Sequence, residues 1–91
     1  MRKDQVRTPA DALSYIVDCT LATVSSMAMR KSRSKYEYDR HISIAQHGVD
    51  WMRQMNVPIE NDSRAAECIA AGSAQAWADQ YDVKLREMAG S

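Results

Sequence analysis

A chain of 91 residues has the length of one domain, and 45% hydrophobic with 26% charged residues is typical of a globular protein. The 12 basic residues balance the 12 acidic residues, so no overall charge favours nucleic acid or an anionic membrane as a partner. No apolar run approaches the length of a membrane span and no hydrophobic segment follows the basic N-terminus, so we expect a cytoplasmic protein without a signal peptide.

The first predicted helix follows a polar segment, residues 1–7, which we expect to be flexible. Thr8 supplies an N-cap hydroxyl, and Pro9 suits the first helical position. Apolar residues then recur at three- and four-residue spacings, and they leave only a narrow polar line. They are Leu13, Ile16, Val17, Leu21, Val24, Met27 and Ala28. The pattern predicts a helix over residues 9–30 that is covered on more than one side.

The second predicted helix, residues 35–55, begins with a capping box formed by Ser34 and Glu37. Its first apolar stripe has the spacing of a helix-pairing seam and comprises Tyr38, Ile42, Ala45, Val49 and Met52. Its second stripe comprises Ile44, Gly48, Trp51 and Met55. Two stripes predict two neighbours, either the other two helices or a second copy of the chain. Gly48 weakens an isolated helix by roughly 1 kcal/mol, so we expect another helix to approach closely there.

The third predicted helix follows a break at Pro58, because proline cannot continue the helical hydrogen-bond ladder. Asn61, Asp62 and Ser63 then supply capping groups, and the helical pattern continues to about residue 88. The first half of this helix is rich in small residues, which permit close packing. Its second half carries bulk on one side, through Trp77, Tyr81, Leu85 and Met88.

The predicted fold is therefore all-α, a three-helix antiparallel bundle with helices at about 9–30, 35–55 and 62–88. We expect one helical domain over residues 8–89. The breadth of the apolar arcs on the first two helices favours a homodimer over a monomer.

The strongest local charge feature is the connection between the first two helices. Its cations are Arg30, Lys31, Arg33 and Lys35, with Arg40 just beyond. Such a cluster can dock on an acidic protein surface or hold the phosphates of a nucleic acid or nucleotide. It can also simply complement the dipole of the first helix and solubilise a loop. The chain has neither a net positive charge nor a motif that recognises nucleic acid. Protein docking is therefore the leading functional interpretation of the cluster, and nucleic-acid or nucleotide binding is the alternative.

Met29, Trp51 and Met55 depart from the main seams, so we expect them to be exposed anchors for a protein partner. Methionine repacks easily against different partners, and tryptophan is enriched at binding hot spots. The competing interpretation is that these large side chains fill the core.

The residue pattern favours no catalytic, cofactor or metal site. His41 and His47 are six residues apart, so they cannot share a metal as an i,i+4 pair does. The nearby carboxylates, Glu37 and Asp50, leave too few ligands for a zinc or di-iron site. The chain contains no nucleophile elbow and no glycine-rich phosphate loop. A small enzyme or metal protein built around Glu37, His41 and His47 therefore ranks third, below protein docking and nucleic-acid or nucleotide binding.

Cys19 and Cys68 fall inside predicted helices and belong to no cysteine framework, so we expect buried free thiols rather than a disulfide. Taken together, these features predict a non-catalytic helical interaction protein, an adaptor or inhibitor that docks on a larger protein assembly. In general type alone, it resembles the small accessory factors of bacteria, phages or mobile elements.

Overall fold

A computed structural model describes residues 3–30 and 34–89, which form α-helices and a short 3-10 helix, with no strand among them. The 3-10 helix is Lys3–Gln5, and the α-helices are α1 (Pro9–Ala28), α2 (Lys35–Gln54), α3 (Arg64–Ala71) and α4 (Ala74–Ala89). The prediction of an all-α fold is confirmed. The predicted number of helices is wrong, because the described residues contain four α-helices rather than three.

The caps identified in the sequence begin three of these helices. The hydroxyl groups of Thr8, Ser34 and Ser63 each accept a hydrogen bond from the backbone N–H three residues later, over 3.1, 3.3 and 3.2 Å. Each bond satisfies a donor that has no partner within its own helix. α1 and α2 therefore begin where the sequence predicts, and α3 begins two residues later, at Arg64.

The predicted third helix is interrupted at Gly72 and Ser73. Gly72 adopts a left-handed φ of 107°, which glycine reaches without a Cβ clash and which ends α3. The Ser73 hydroxyl then accepts a hydrogen bond from the Ala76 N–H at 3.0 Å, so it caps a new helix. Gln46 of α2 accepts a further bond from the Ala74 N–H at 2.6 Å. The small residues interpreted as close-packing positions thus include a helix stop and a helix start.

All four α-helices contribute to one apolar core, in which α1 and α2 form the most extensive contact. The first stripe of α2 is buried throughout, as predicted, from Tyr38 to Met52. The same core contains Val17, Leu21, Val24, Met27 and Ala28 of α1, and α3 and α4 add Ala65, Cys68, Ala74, Trp77 and Ala78. Two residues assigned to apolar sides are instead largely exposed, Ile16 at 55% and Met88 at 67%.

α1 and α2 approach each other closely at Gly48, as the sequence predicts. A Cβ atom at this position would overlap Cγ2 of Val17 on α1. Val17 is 2% exposed, so a core residue fills the space that a side chain at position 48 would occupy. α3 and α4 pack elsewhere on this helix pair and leave the second stripe of α2 uncovered.

Candidate protein-docking surface

The second apolar stripe of α2 lies at the surface. Ile44, Trp51 and Met55 are 45%, 60% and 58% exposed. Ile44 and Trp51 border a groove of about 300 Å³ between α1 and α2, here called the α1–α2 groove. Its lining residues are Leu13, Ile16, Val17, Thr20, Ile44, His47, Gly48 and Trp51. None of these eight residues carries a formal charge when His47 is neutral.

Helical spacing explains how the sequence builds this groove. Ile44, Gly48 and Trp51 are four and three residues apart, so they lie on one face of α2. Ile16 stands on the opposite side of the groove, on α1. Gly48 places no side chain between them, which leaves a concave floor against Val17. The result is a contiguous apolar surface, and such surfaces mark docking sites more often than isolated exposed residues do.

The structure does not gather the predicted partner-binding residues into one site. Trp51 lines the α1–α2 groove, and Met55 lies one turn further along α2. Met29 is 62% exposed and, with Arg30, lines a separate cavity of about 530 Å³ beside Leu85 of α4. The three large residues expected to be exposed are therefore at the surface, and their role in binding stays a prediction.

The predicted basic cluster is described only in part. Lys31 and Arg33 lie outside the described residues. Arg40 is exposed, whereas Lys35 Nζ forms an ion pair with Asp39 Oδ2 at 2.6 Å. An exposed ion pair between residues one turn apart contributes little stability, yet it engages the ammonium group of Lys35 with a carboxylate of the same helix. Nucleic-acid or nucleotide binding by the cluster stays a prediction.

The two histidines bind their own helix. Nδ1 of His41 donates to the Glu37 carbonyl at 2.7 Å, and Nδ1 of His47 donates to the Ser43 carbonyl at 2.8 Å. A carbonyl oxygen only accepts, so Nδ1 carries the proton in both rings. Across the described ranges, no group of three or more His, Cys, Asp or Glu side chains is placed to hold a metal ion. The predictions of no metal, no cofactor and no catalysis stay predictions.

A polar cavity of about 550 Å³ lies beside α1, α3 and α4, and two polar pairs are among the groups that line it. Arg64 Nη1 contacts Asp18 Oδ1 at 3.2 Å, which joins α3 to α1. Trp77 Nε1 donates to Glu67 Oε2 at 2.8 Å, and its ring stacks on Tyr81 with centroids 5.7 Å apart. These groups satisfy one another and hold the helices together. Sequence reasoning missed both polar pairs, because their members are 46 and 10 residues apart.

The two cysteines have different environments. Both are free thiols, as predicted, but Cys19 is exposed, so the prediction that both are buried is wrong. Cys19 lies on the side of α1 that faces away from the core. There it forms a hydrogen bond with Tyr15, and this bond raises the pKa of Tyr15. Cys68 is 1% exposed, and burial raises the pKa of its thiol to about 11, with a further contribution from the charge of Glu67.

We expect a thiol reagent such as dithionitrobenzoate at pH 8 to modify Cys19 quickly and Cys68 only on unfolding. A pKa near 11 rather than 9.0 leaves about a hundredfold less thiolate on Cys68, and burial blocks the reagent. The Cys19→Ser variant is the control and should lose the fast phase. Two fast equivalents in the native protein would contradict the buried position of Cys68.

The same shift predicts a dependence of stability on pH. The folded state favours the neutral thiol of Cys68. The contribution of this buried thiol to the free energy of unfolding is therefore complete below pH 9.0 and is lost as the pH rises through about 11. The free energy of unfolding of the wild type should therefore fall more steeply over this range than that of Cys68→Ala.

Comparison with protein-family models, curated proteins and solved structures gives no match for this chain. In the part of the chain that the structure describes, no helix combines the length and apolar character needed to cross a bilayer. The α1–α2 groove, whose lining carries no formal charge when His47 is neutral, is therefore the surface feature on which a functional proposal can rest.

Proposed function

We propose that this protein is a non-catalytic helical interaction protein, an adaptor or inhibitor that docks on a larger protein assembly in the cytoplasm. The exposed apolar groove between α1 and α2 is the observation that carries the proposal. The two free thiols are compatible with a reducing compartment. In general type, it would be an accessory factor of the bacterial, phage or mobile-element kind.

The exposed side chains of the groove supply a free-energy gain on docking. Burying apolar surface is worth about 25 cal/mol per Å², and large aromatic side chains contribute most at interfaces. Trp51 is 60% exposed beside a concave floor, which is the position of a hot-spot residue. Because the lining has no formal charge, little charge must be desolvated when a partner covers it.

The shape of the groove favours a helical partner. Two packed helices leave a furrow along their junction, and an amphipathic helix can lay its apolar residues into such a furrow. Ile16 and Ile44 form the two walls, and Gly48 lowers the floor between them. The separate exposed pair of Met29 and Arg30 lies outside the groove and would contact other parts of an assembly.

Affinity capture from the native host tests the proposal, with three baits: the wild type, Trp51→Ala and Val83→Asp. Val83 is 48% exposed on α4 and lies outside the groove, so its variant is the matched control. We expect a protein retained by the wild type and the control, lost with Trp51→Ala, and bound again when purified. If no such protein exists, the adaptor or inhibitor proposal is wrong. If the capture recovers only untagged copies of this same chain, the adaptor or inhibitor proposal is also wrong.

A further inference from the structure

We infer that His47 makes docking in the α1–α2 groove dependent on pH. The groove accepts an apolar partner while the imidazole of His47 is neutral, and it loses affinity for that partner when the ring is protonated. The inference rests on the proposed function, because it concerns the regulation of the same groove. Three observations carry it: the position of His47 in the lining, the hydrogen bond that sets its tautomer, and the lack of a carboxylate among the described residues that line the groove.

His47 is the member of the groove lining that can change its charge near neutral pH. The described lining residues on α1 are Leu13, Ile16, Val17 and Thr20, and those beside His47 on α2 are Ile44, Gly48 and Trp51. None of these other side chains is ionisable, whereas imidazole side chains as a class change charge between about pH 5 and 8. The charge of the lining therefore depends on one imidazole.

The hydrogen bond of His47 decides which nitrogen takes up the second proton. Nδ1 donates to the Ser43 carbonyl at 2.8 Å, so Nε2 is the unprotonated nitrogen of the neutral ring. Protonation at Nε2 leaves the bond to Ser43 in place, because Nδ1 keeps its own proton. The ring therefore takes up the charge without turning, and the positive charge stays on a side chain that lines the groove.

No carboxylate of the described lining offsets that charge. Asp50, three residues further along α2, is half-buried, and its Oδ1 accepts a hydrogen bond from Gln46 Nε2 at 2.9 Å. Asp18 of α1 faces α3, where it pairs with Arg64. No ion pair in the described part of the chain includes His47. In the free protein, water therefore solvates the imidazolium, because His47 is exposed.

A partner that covers the groove removes this water. Apolar residues packed against Ile44 and Trp51 also cover the neighbouring imidazole, and an unpaired charge is costly to bury. Desolvation disfavours the charged form, so a bound apolar partner and a proton on Nε2 oppose one another. Such coupling is reciprocal, because the partner that disfavours the proton is itself disfavoured by it. Docking is therefore tighter while His47 is neutral and weakens as the pH falls.

The size of the effect follows from the fraction of protonated imidazole. An imidazole side chain of ordinary pKa, about 6.5, is protonated about ten times more often than not at about pH 5.5, and in only a few per cent of molecules at about pH 8. If only the neutral ring accepts the partner, the dissociation constant rises about tenfold between these pH values. The chain has two histidines, and His41 lies outside the lining, so His41 offers a matched control.

Binding of the dye Nile red to the purified full chain tests the inference, because this apolar dye is uncharged at both pH values and brightens in apolar surroundings. We expect the wild type to bind it at about pH 8 and about tenfold more weakly at about pH 5.5. His47→Gln should bind equally at both pH values, since glutamine does not titrate. His47→Lys should bind as weakly at about pH 8 as the wild type does at about pH 5.5, because it carries a permanent charge.

His41→Gln should keep the pH dependence of the wild type, and Trp51→Ala should weaken binding at least about threefold, which locates the dye in the groove. Circular dichroism should show all variants folded, and His47→Lys tests the charge at about pH 8, independently of stability in acid. The inference is overturned if the wild type binds no dye, binds it independently of Trp51 or binds it equally at both pH values. A pH dependence that survives in His47→Gln overturns it as well.

Capture experiments separate this inference from the proposed function. A purified partner that requires Trp51 but binds the wild type equally at about pH 8 and about pH 5.5 overturns the pH dependence alone. Conversely, the expected dye results without any captured partner leave the role of His47 standing and remove the adaptor or inhibitor function.

Discussion

Leu21→Ala is expected to lower the free energy of unfolding by about 3–5 kcal/mol, which is the largest single effect we predict. Leu21 is 0% exposed and is among the largest fully buried side chains, at the centre of α1. Truncation removes the transfer free energy of the lost carbons and leaves a cavity that a packed core cannot close fully. A domain of this size holds only about 5–15 kcal/mol in total, so this variant should lose a large fraction of its stability.

Urea unfolding followed by circular dichroism measures this loss. Val83→Ala is the matched control, because it also truncates an aliphatic helical residue but at a position that is 48% exposed. We expect it to change the free energy of unfolding by less than about 0.5 kcal/mol. Equal losses in the two variants would show that Leu21 is not at the centre of the core.

Gly48→Ala is expected to destabilise the protein by about 1–3 kcal/mol, although alanine is the better helix former. On propensity alone, the substitution in the middle of α2 would gain about 1 kcal/mol. The added methyl group would overlap Val17 Cγ2, and Val17 is a buried, β-branched side chain with little freedom to move. The packing conflict therefore exceeds the propensity gain.

A double-mutant cycle with Val17→Ala tests the physical reason for this result. In that background the overlap is absent, so Gly48→Ala should become neutral or stabilising by up to about 1 kcal/mol. Ser43→Ala, on the exposed side of the same helix, is the control for propensity and should not destabilise. A stabilising Gly48→Ala in the wild-type background would contradict the close approach of α1 and α2.

The helix starts and the first stripe of α2 could be predicted because their causes are local. Thr8, Ser34 and Ser63 cap through bonds that reach only three residues along the chain. The seam from Tyr38 to Met52 alternates steps of four and three residues throughout, and all of its members are buried. A regular apolar stripe faces the core because burial of that face is the main source of helical stability in a protein.

The residue pattern did not predict the break between α3 and α4. Gly72 and Ser73 occur among alanines, where small residues also suit the close packing of one long helix. The structure resolves this ambiguity with the left-handed φ of Gly72. It also brings in Gln46, which accepts a hydrogen bond from Ala74 although the two are 28 residues apart. No pattern within α3 or α4 indicates that contact.

The amino-acid sequence by itself determined that the chain is helical, where its helices begin and which residues form apolar stripes. Those properties depend on hydrogen bonds and spacings within a few residues. Only the tertiary structure decided that Ile16, a member of the apolar pattern of α1, is exposed, and that the other helices leave the second stripe of α2 uncovered. It likewise separated exposed Cys19 from buried Cys68. The physical reason is that burial depends on where the other helices lie, and residues distant in the chain fix those positions.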